Sequence, residues 1–404
     1  MKKIVWSVSV GTTVLLGAGY CRGGATVQIA DDAKIDFGYT IQAQVVGAEK
    51  YDSADNAFES DLDAKVRRAR LRASADVTSW MSAMLQTDAA PGEKGRAGMD
   101  WRLIDAWVAL KPHELFNIYV GENLAPANRQ NLTSAGSLMA LDWPGVTYKT
   151  LTWGARSMYA FSTETFSDSD SGLRGESDVR DTGVTLFGSR SLGTNVHFKY
   201  YLGGYDGIQA TGGDEPRFTA RVQLNFLAPE KDYYCQSAYL GKKKTVGVGA
   251  SFDKQDNVTN IGTVAEVNYT FYTVDAFADL PVGKGQLTVE AAYENLDFEA
   301  ESDSGTVTAL PSGLAQSAGD GFYVQAGYLI GGKWQPWAEY EHWDSKSADR
   351  KGDFDTYRVG LTYYFKGHNA NVKVGYEQLR SDTGIRGTTD DTLNTVVTAF
   401  SSTY

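Results

Sequence analysis

The sequence predicts an all-β chain, a transmembrane antiparallel β-barrel of about 16 strands (range 16–18) with an inward-folded constriction loop. Three observations carry that prediction. Apolar and polar residues alternate with period two from end to end. The alternating runs are about 9 to 13 residues long, enough for a tilted strand to cross a bilayer, whereas strands of soluble sandwiches usually run about 5 to 6. Short joints also alternate with long polar connections, the pattern of turns on one side of a membrane and loops on the other.

Composition agrees. The 404 residues include 43 Gly, 23 Tyr and 9 Trp but only 9 Pro, and no internal stretch of 18 consecutive apolar residues offers a membrane helix. A formal net charge of -12 argues against a nucleic-acid binder, which carries a basic footprint. The low hydropathy suits a barrel, because half of each strand faces water inside.

The first element, 1–25, reads as an export signal. Lys2 and Lys3 precede an apolar stretch from Ile4 to Ala18, and Gly23 and Ala25 offer a cleavage site, so the mature barrel spans 26–404 and begins near Thr26. A short buried helix fits these flanks less well. Lipidation at Cys21 is disfavoured, because Tyr20 stands where a small residue is expected. Cleavage leaves Cys235 as the one cysteine, which excludes an intrachain disulfide. His113, His197, His342 and His368 are far apart, and no CxxC or HExxH spacing occurs, so neither a metal nor a cofactor is expected.

The strands follow. In 35–45, Ile35, Phe37, Tyr39, Ile41, Ala43 and Val45 alternate with polar residues or Gly38. In 216–226, Phe218, Ala220, Val222, Leu224 and Phe226 alternate with Arg217, Thr219, Arg221, Gln223 and Asn225. In 264–271, Ala265, Val267, Tyr269 and Phe271 are taken as the lipid face, which turns Glu266 inward. Later runs place Tyr357, Val359 and Leu361 opposite Arg358, and Val372, Val374 and Tyr376 opposite Lys373 and Glu377. Short joints fall at 76–79, 111–113, 192–194, 331–333 and 367–369; long connections fall at 48–63, 123–145, 165–180, 299–319 and 381–391. The stretches 146–163 and 228–244 resist division. The chain ends on an aromatic strand, with Phe400 and Tyr404 on one face, similar to the signal that barrel-assembly machinery reads.

Four blocks carry a family resemblance. AKVRRARLRASADVTSWMSAMLQTD, LIDAWVALKPHELFNIYVGENLAPANRQNL, DEPRFTARVQLNFLAPE and YLGKKKTVGVGASFD occur in order across most of 64–254. Together they resemble the phosphate-selective porin O and P family of outer-membrane porins. The resemblance implies a trimeric channel of roughly 16 strands with a constriction loop. It implies residence in the outer membrane of a Gram-negative bacterium, among its lipid and lipopolysaccharide. It is specific for the family and not for the solute.

The run AKVRRARLRAS (64–74) carries four arginines and a lysine within eight positions. On a strand, Ala69, Leu71, Ala73 and Ala75 share one face, while Val66, Arg68, Arg70, Arg72 and Ser74 share the other. Arg67 is left at the mouth-side end of the lipid face, where it would snorkel. An arginine at the lipid-facing midplane costs roughly 2 to 4 kcal/mol, so the arginine face must be lumenal. Same-face neighbours lie about 6.6 to 7 Å apart. At an effective dielectric near 20 their charges repel by about 2.4 kcal/mol, so water, carboxylates or passing anions must lie beside them. Arg68, Arg70 and Arg72 are therefore candidate steps of an anion-selective ladder, a device the resembling family uses. Arg217 and Arg221 face inward and extend it, with Arg358 and Lys373 nearer the C-terminus.

A mixed wall is the competing interpretation. By the same alternation Asp36, Glu266, Glu290, Glu294, Glu339, Glu341 and Glu377 face inward. Basic and acidic walls set against each other give a transverse field and an almost unselective pore. Loop 123–145 is long, weakly charged and rich in small residues; folded inward, its Arg129 and Asp142 line an eyelet, and folded outward it is a surface loop. The acidic stretches 52–63 and 167–178 are expected to be external and either bind divalent cations or stay solvated. Lys242–Lys244 is expected to be a solvated periplasmic turn.

Three functions compete. The first is a porin for passive diffusion of small ions and hydrophilic solutes. The second is a barrel enzyme, disfavoured because no His stands near a Ser or Asp pair on an identifiable face. The third is a sheath barrel that houses a partner such as a redox carrier; no haem-attachment motif occurs in this chain itself.

Overall fold

The computed structural model describes residues 24–30, 33–52, 57–89, 101–144, 180–207, 215–261, 264–302, 307–308, 318–348, 350, 352–383 and 391–404. The strands are β1 (Ala25–Gln28), β2 (Lys34–Asp52), β3 (Ala57–Asp76), β4 (Met81–Asp88), β5 (Arg102–His113) and β6 (Phe116–Leu124). They continue as β7 (Arg180–Ser191), β8 (Val196–Tyr205), β9 (Arg217–Leu227), β10 (Thr245–Ile261), β11 (Val264–Val282) and β12 (Gly285–Ser302). The last are β13 (Val307–Thr308), β14 (Gly319–Ile330), β15 (Trp334–Ser345), β16 (Phe354–Tyr364), β17 (Ala370–Arg380) and β18 (Thr392–Thr403).

Sixteen of these, β2–β12 and β14–β18, form one closed antiparallel barrel. Closure runs from Thr395↔Ala48 to Thr403↔Thr40, between the last strand and β2. The C-terminal residue finishes the seam, with Tyr39 N donating to Tyr404 O at 2.6 Å and Tyr404 N to Tyr39 O at 2.9 Å. Below that point β1 pairs with the foot of β2, from Ala25↔Phe37 to Gln28↔Lys34. No strand edge of the ring is left open, which is what backbone polar groups in a bilayer demand.

The outward face is apolar. Phe37, Ile41, Leu71, Phe218, Val222, Val274, Val359 and Phe400 are exposed on it. A continuous apolar belt on a closed barrel is a lipid-contact surface. Two details differ from the sequence reading. Strands run to 20 residues in β3 and 19 in β11, because they continue past the apolar belt as an extension of the wall. The joint expected at 111–113 lies at 114–115, since Lys111–His113 still belongs to β5.

The interior is filled at mid-height. Residues 125–144 leave β6 at the long-loop end and turn into the barrel, as expected for 123–145; Gly145 lies outside the described residues. Residues 228–244 enter from the short-turn end, between β9 and β10, and are also largely buried. Around them Trp107, Tyr119, Phe187, Tyr201, Tyr233, Tyr234, Leu132 and Leu138 form an apolar core inside the barrel. Tyr119 stacks on Trp107 at 4.5 Å and on Tyr233 at 4.6 Å. A second cluster, Met139, Ala140, Ala238 and Trp337, packs against the opposite wall. Glycines make room there: a Cβ at Gly375 would lie 2.7 Å from Leu141 Cδ1, and one at Gly327 would collide with Met139.

Candidate functional site

The arginine strand carries a bulge. Gln42 pairs with Arg68, and the next residue, Ala43, pairs with Val66, so Arg67 is the extra residue. A bulge restores alternation after an odd residue and re-aims its side chain. Val66 consequently joins the outward face, and Arg67 is drawn into the interior. Both points correct the sequence reading, which placed Val66 inward and Arg67 at the lipid surface. Arg67 donates to Asp142 through Nε at 3.2 Å and Nη2 at 3.1 Å. Arg68 donates to Gln42 and, through Nη2 at 3.0 Å, to Asp142, with its guanidinium 4.9 Å from the Trp143 ring centroid. Arg70 donates to Asp88 at 2.8 Å. Arg72 shares this inward face and pairs across from Gly38.

The inward loop crosses the barrel. At its start Asn128 donates to Glu294 at 3.2 Å and Gln130 to Glu290 at 2.5 Å, both on β12. At its end Asp142 meets Arg67 and Arg68 on β3. β12 lies seven strand steps from β3 by the shorter way round the ring, so the loop spans from an acidic wall to a basic one. Between these ends Lys373 donates to Leu138 O at 2.6 Å and Ala140 O at 2.7 Å, and Arg358 to Trp143 O at 2.8 Å. Lys373 and Arg358 thus hold the loop.

The remaining expected residues sit in ion-pair cages. Arg217 binds Asp253 at 2.9 and 2.5 Å and Asp181 at 3.1 Å. Arg221 binds Asp275 at 2.5 and 2.9 Å. Arg358 binds Glu377, Glu339 at 2.6 Å and Glu341 at 3.7 Å. Arg129 forks onto Glu230 at 2.9 Å twice, with its guanidinium 3.9 Å over Phe277. Burial pushes the Glu230 carboxyl up, but the Arg129 guanidinium more than reverses this and holds it well below the usual carboxylate range. Arg129, Arg217 and Arg221 are each about 1% exposed, so they face protein and not an open bore. Glu290, Glu294, Glu339 and Glu341 face inward and are likewise buried.

Glu266 does not face inward. Tyr272 and Val274 are exposed on the lipid side of β11, and stepping back by twos puts Glu266 with them. Val267, Tyr269 and Phe271 point in instead, with Tyr269 OH donating to Asp253 at 3.0 Å. The alternation rule fails there because a lumen filled with protein accepts apolar side chains. Charge that meets water lies elsewhere on the wall. Asp142 is 30% exposed, Glu377 32%, Arg67 27% and Arg70 13%, all at the loop edge beside β3 and β17.

Several interior residues were not foreseen. Glu230, Asp105, Asp181, Asp253 and Asp275 are the counter-charges of the buried arginines, and Asp105 takes Arg180 at 2.8 Å. The available signal was the segment APEKDYYCQSAYLGKKK, an aromatic-rich insert of turn-breaking flanks where a short turn was due. The acidic stretch 167–178 and most of the export signal lie outside the described residues.

Residues 37–185 match the model of the family Phosphate-selective porin O and P, which bears out the sequence resemblance over that span. The anion-selective porin from Comamonas acidovorans shares the fold, with a TM-score of 0.61 at 14% identity over 92% of this chain and 100% of that one. The outer membrane channel DcaP of Acinetobacter baumannii does so with a TM-score of 0.55 at 12% identity, covering 92% of this chain and 98% of its own. An uncharacterized protein of Aquifex aeolicus (strain VF5) is 25% identical over 346 residues, 78% of this chain and 71% of that one. The chain thus has the fold of these barrels, a closed antiparallel β-barrel of 16 strands.

Proposed function

We propose that this barrel is an outer-membrane porin for passive diffusion of small hydrophilic solutes, preferring anions. The carrying observation is where charge still meets water. Most lumenal arginines are buried in carboxylate cages, while Arg67 and Arg70 keep exposure beside Asp142 at the loop edge. The selective stretch is therefore Arg70 and Arg72 with the newly recruited Arg67, while Arg68, 3% exposed and held by Gln42 and Asp142, backs them. A planar guanidinium offers several donors to an anion that leaves one site for the next. Arg129, Arg217, Arg221, Arg358 and Lys373 serve the architecture of the interior instead. We assign residues 1–25 to export, and the working form to a homotrimer in the outer membrane of a Gram-negative bacterium, against lipid and lipopolysaccharide.

A weakly selective pore is the second reading, and one observation favours it. Glu377 is as exposed as Asp142, so a carboxylate shares the open path. The sheath reading loses support, because a partner threaded through the barrel would have to displace both inward segments and their aromatic core. Planar-bilayer recording in a salt gradient decides among the three. The porin reading expects open channels with a reversal potential of anion-selective sign. A reversal potential near zero supports the weakly selective pore, and absence of conductance removes the channel.

A further inference from the structure

The two inward segments come from opposite sides of the membrane and hold each other. Thr133 and Cys235 form a parallel β-bridge, with Cys235 N donating to Leu132 O at 2.8 Å and Ser134 N to Cys235 O at 3.1 Å. Met139 N donates to Ser237 Oγ at 3.2 Å, and Ser237 N to Ser137 Oγ at 3.2 Å. The buried fork of Arg129 on Glu230 locks the same junction, and Arg129 also reaches Gln236 O at 3.2 Å. Cys235 and Ala238 are wholly buried there. This contact fills the side of the lumen away from the open edge at Asp142, so it sets how much of the bore is left.

We infer that the Arg129–Glu230 junction is a latch: while closed it keeps the pore narrow, and its release lets residues 228–244 withdraw toward the short-turn side and widen it. Two features suit that segment to move. Its chain enters at Leu227 and leaves at Thr245, which pair with each other at the ends of β9 and β10, so it can leave without unzipping the wall once side-chain contacts such as those of Tyr233 with Leu124 O and Tyr234 with Asn123 are given up. Leu227 has a left-handed φ of 73° and Leu240 one of 53°, followed by Gly241 at 78°, so strained backbone stands at its entry and near its exit. Glu230 also accepts from Gln223 at 2.7 Å and Asn225 at 3.1 Å on β9, contacts that withdrawal breaks together with the Arg129 fork. The inference rests on the channel reading.

Thr133→Cys tests it, because facing residues of a β-bridge suit a disulfide and Cys235 already supplies the partner thiol. Recordings at raised voltage should show steps to a larger conductance in the reduced protein. Oxidation should abolish those steps, and reductant should restore them. Glu230→Gln should make the steps more frequent without any change at position 133. Steps equally frequent in the oxidised and reduced protein, or none in either alongside a normal small conductance, would overturn the latch. No conductance under any condition would remove the channel and the latch together.

Discussion

Arg68 on the barrel wall and Asp142 on the inward loop meet at 3.0 Å, and the same carboxylate also binds Arg67 at 3.1 Å. One resident anion thus occupies two steps of the arginine row. A permeating anion must compete with it, because both seek the same guanidinium donors. Asp142→Asn keeps the shape and removes the charge. The reversal potential in a salt gradient should then move further in the anion-selective direction. Replacing Arg68, Arg70 and Arg72 together by Ser should move it toward cations. If neither protein shifts the reversal potential, selectivity does not reside in this row.

The bulge gives an independent prediction about folding. Arg67 is the one residue of β3 opposite no residue of its own on β2. Deleting it should leave Val66 outward and Arg68 inward in unbroken alternation. Deleting Leu71 instead shifts one flank of the strand by one residue and turns its apolar set toward the lumen. The protein lacking Arg67 is expected to keep the heat-modifiable gel mobility of a folded barrel, and the protein lacking Leu71 to lose it. Equal behaviour of the two would refute the bulge.

Where the sequence was legible follows from the same physics. Alternation identifies the wall of 35–45, 216–226 and 357–365 correctly, because lipid outside and polar groups inside are both enforced there. It misjudges Glu266, because Val267, Tyr269 and Phe271 are apolar residues facing a packed interior. It misplaces Arg67, because a bulge leaves only a faint mark in sequence: two adjacent arginines that cannot both face inward on a regular strand. It passes over residues 228–244, whose Tyr233, Tyr234 and Cys235 are ordered by contact with a loop a hundred residues away. Charge types were readable, but pairing partners were not. Arg217 reads as a ladder step until Asp181 and Asp253 are seen beside it.

Arg217 therefore separates architecture from selectivity. Replacing it by Ala leaves two buried carboxylates with no cation between them. Loss of one partner from a buried ion pair costs about 3–5 kcal/mol. Denaturant unfolding of Arg217→Ala should show a loss of that order, and the channels that do form should keep the parent reversal potential. A reversal potential shifted toward cations with stability intact would return Arg217 to the ladder.

His368 makes the interior sensitive to acid. It lies in the turn between β16 and β17, with Nε2 2.8 Å from Ala238 O on the inward segment and its ring edge-on to Tyr364 at 5.6 Å. Burial drives its pKa down to about 4, against the opposing hydrogen bond to Ala238, and the nearby cations Lys373 and Lys242 add to the depression. The folded protein thus resists a proton that the unfolded chain takes up near the ordinary value of about 6.5. The contribution of the neutral ring is complete above about 6.5 and is lost as pH falls through about 4. Carboxylates titrate in part of the same window, so the useful quantity is a difference. His368→Gln keeps an N–H donor for Ala238 and cannot be protonated. Between pH 6.5 and 4 the parent barrel should lose more thermal stability in detergent than His368→Gln does. Equal losses in the two proteins would mean that the His368 contact does not govern how the inward segment responds to acid.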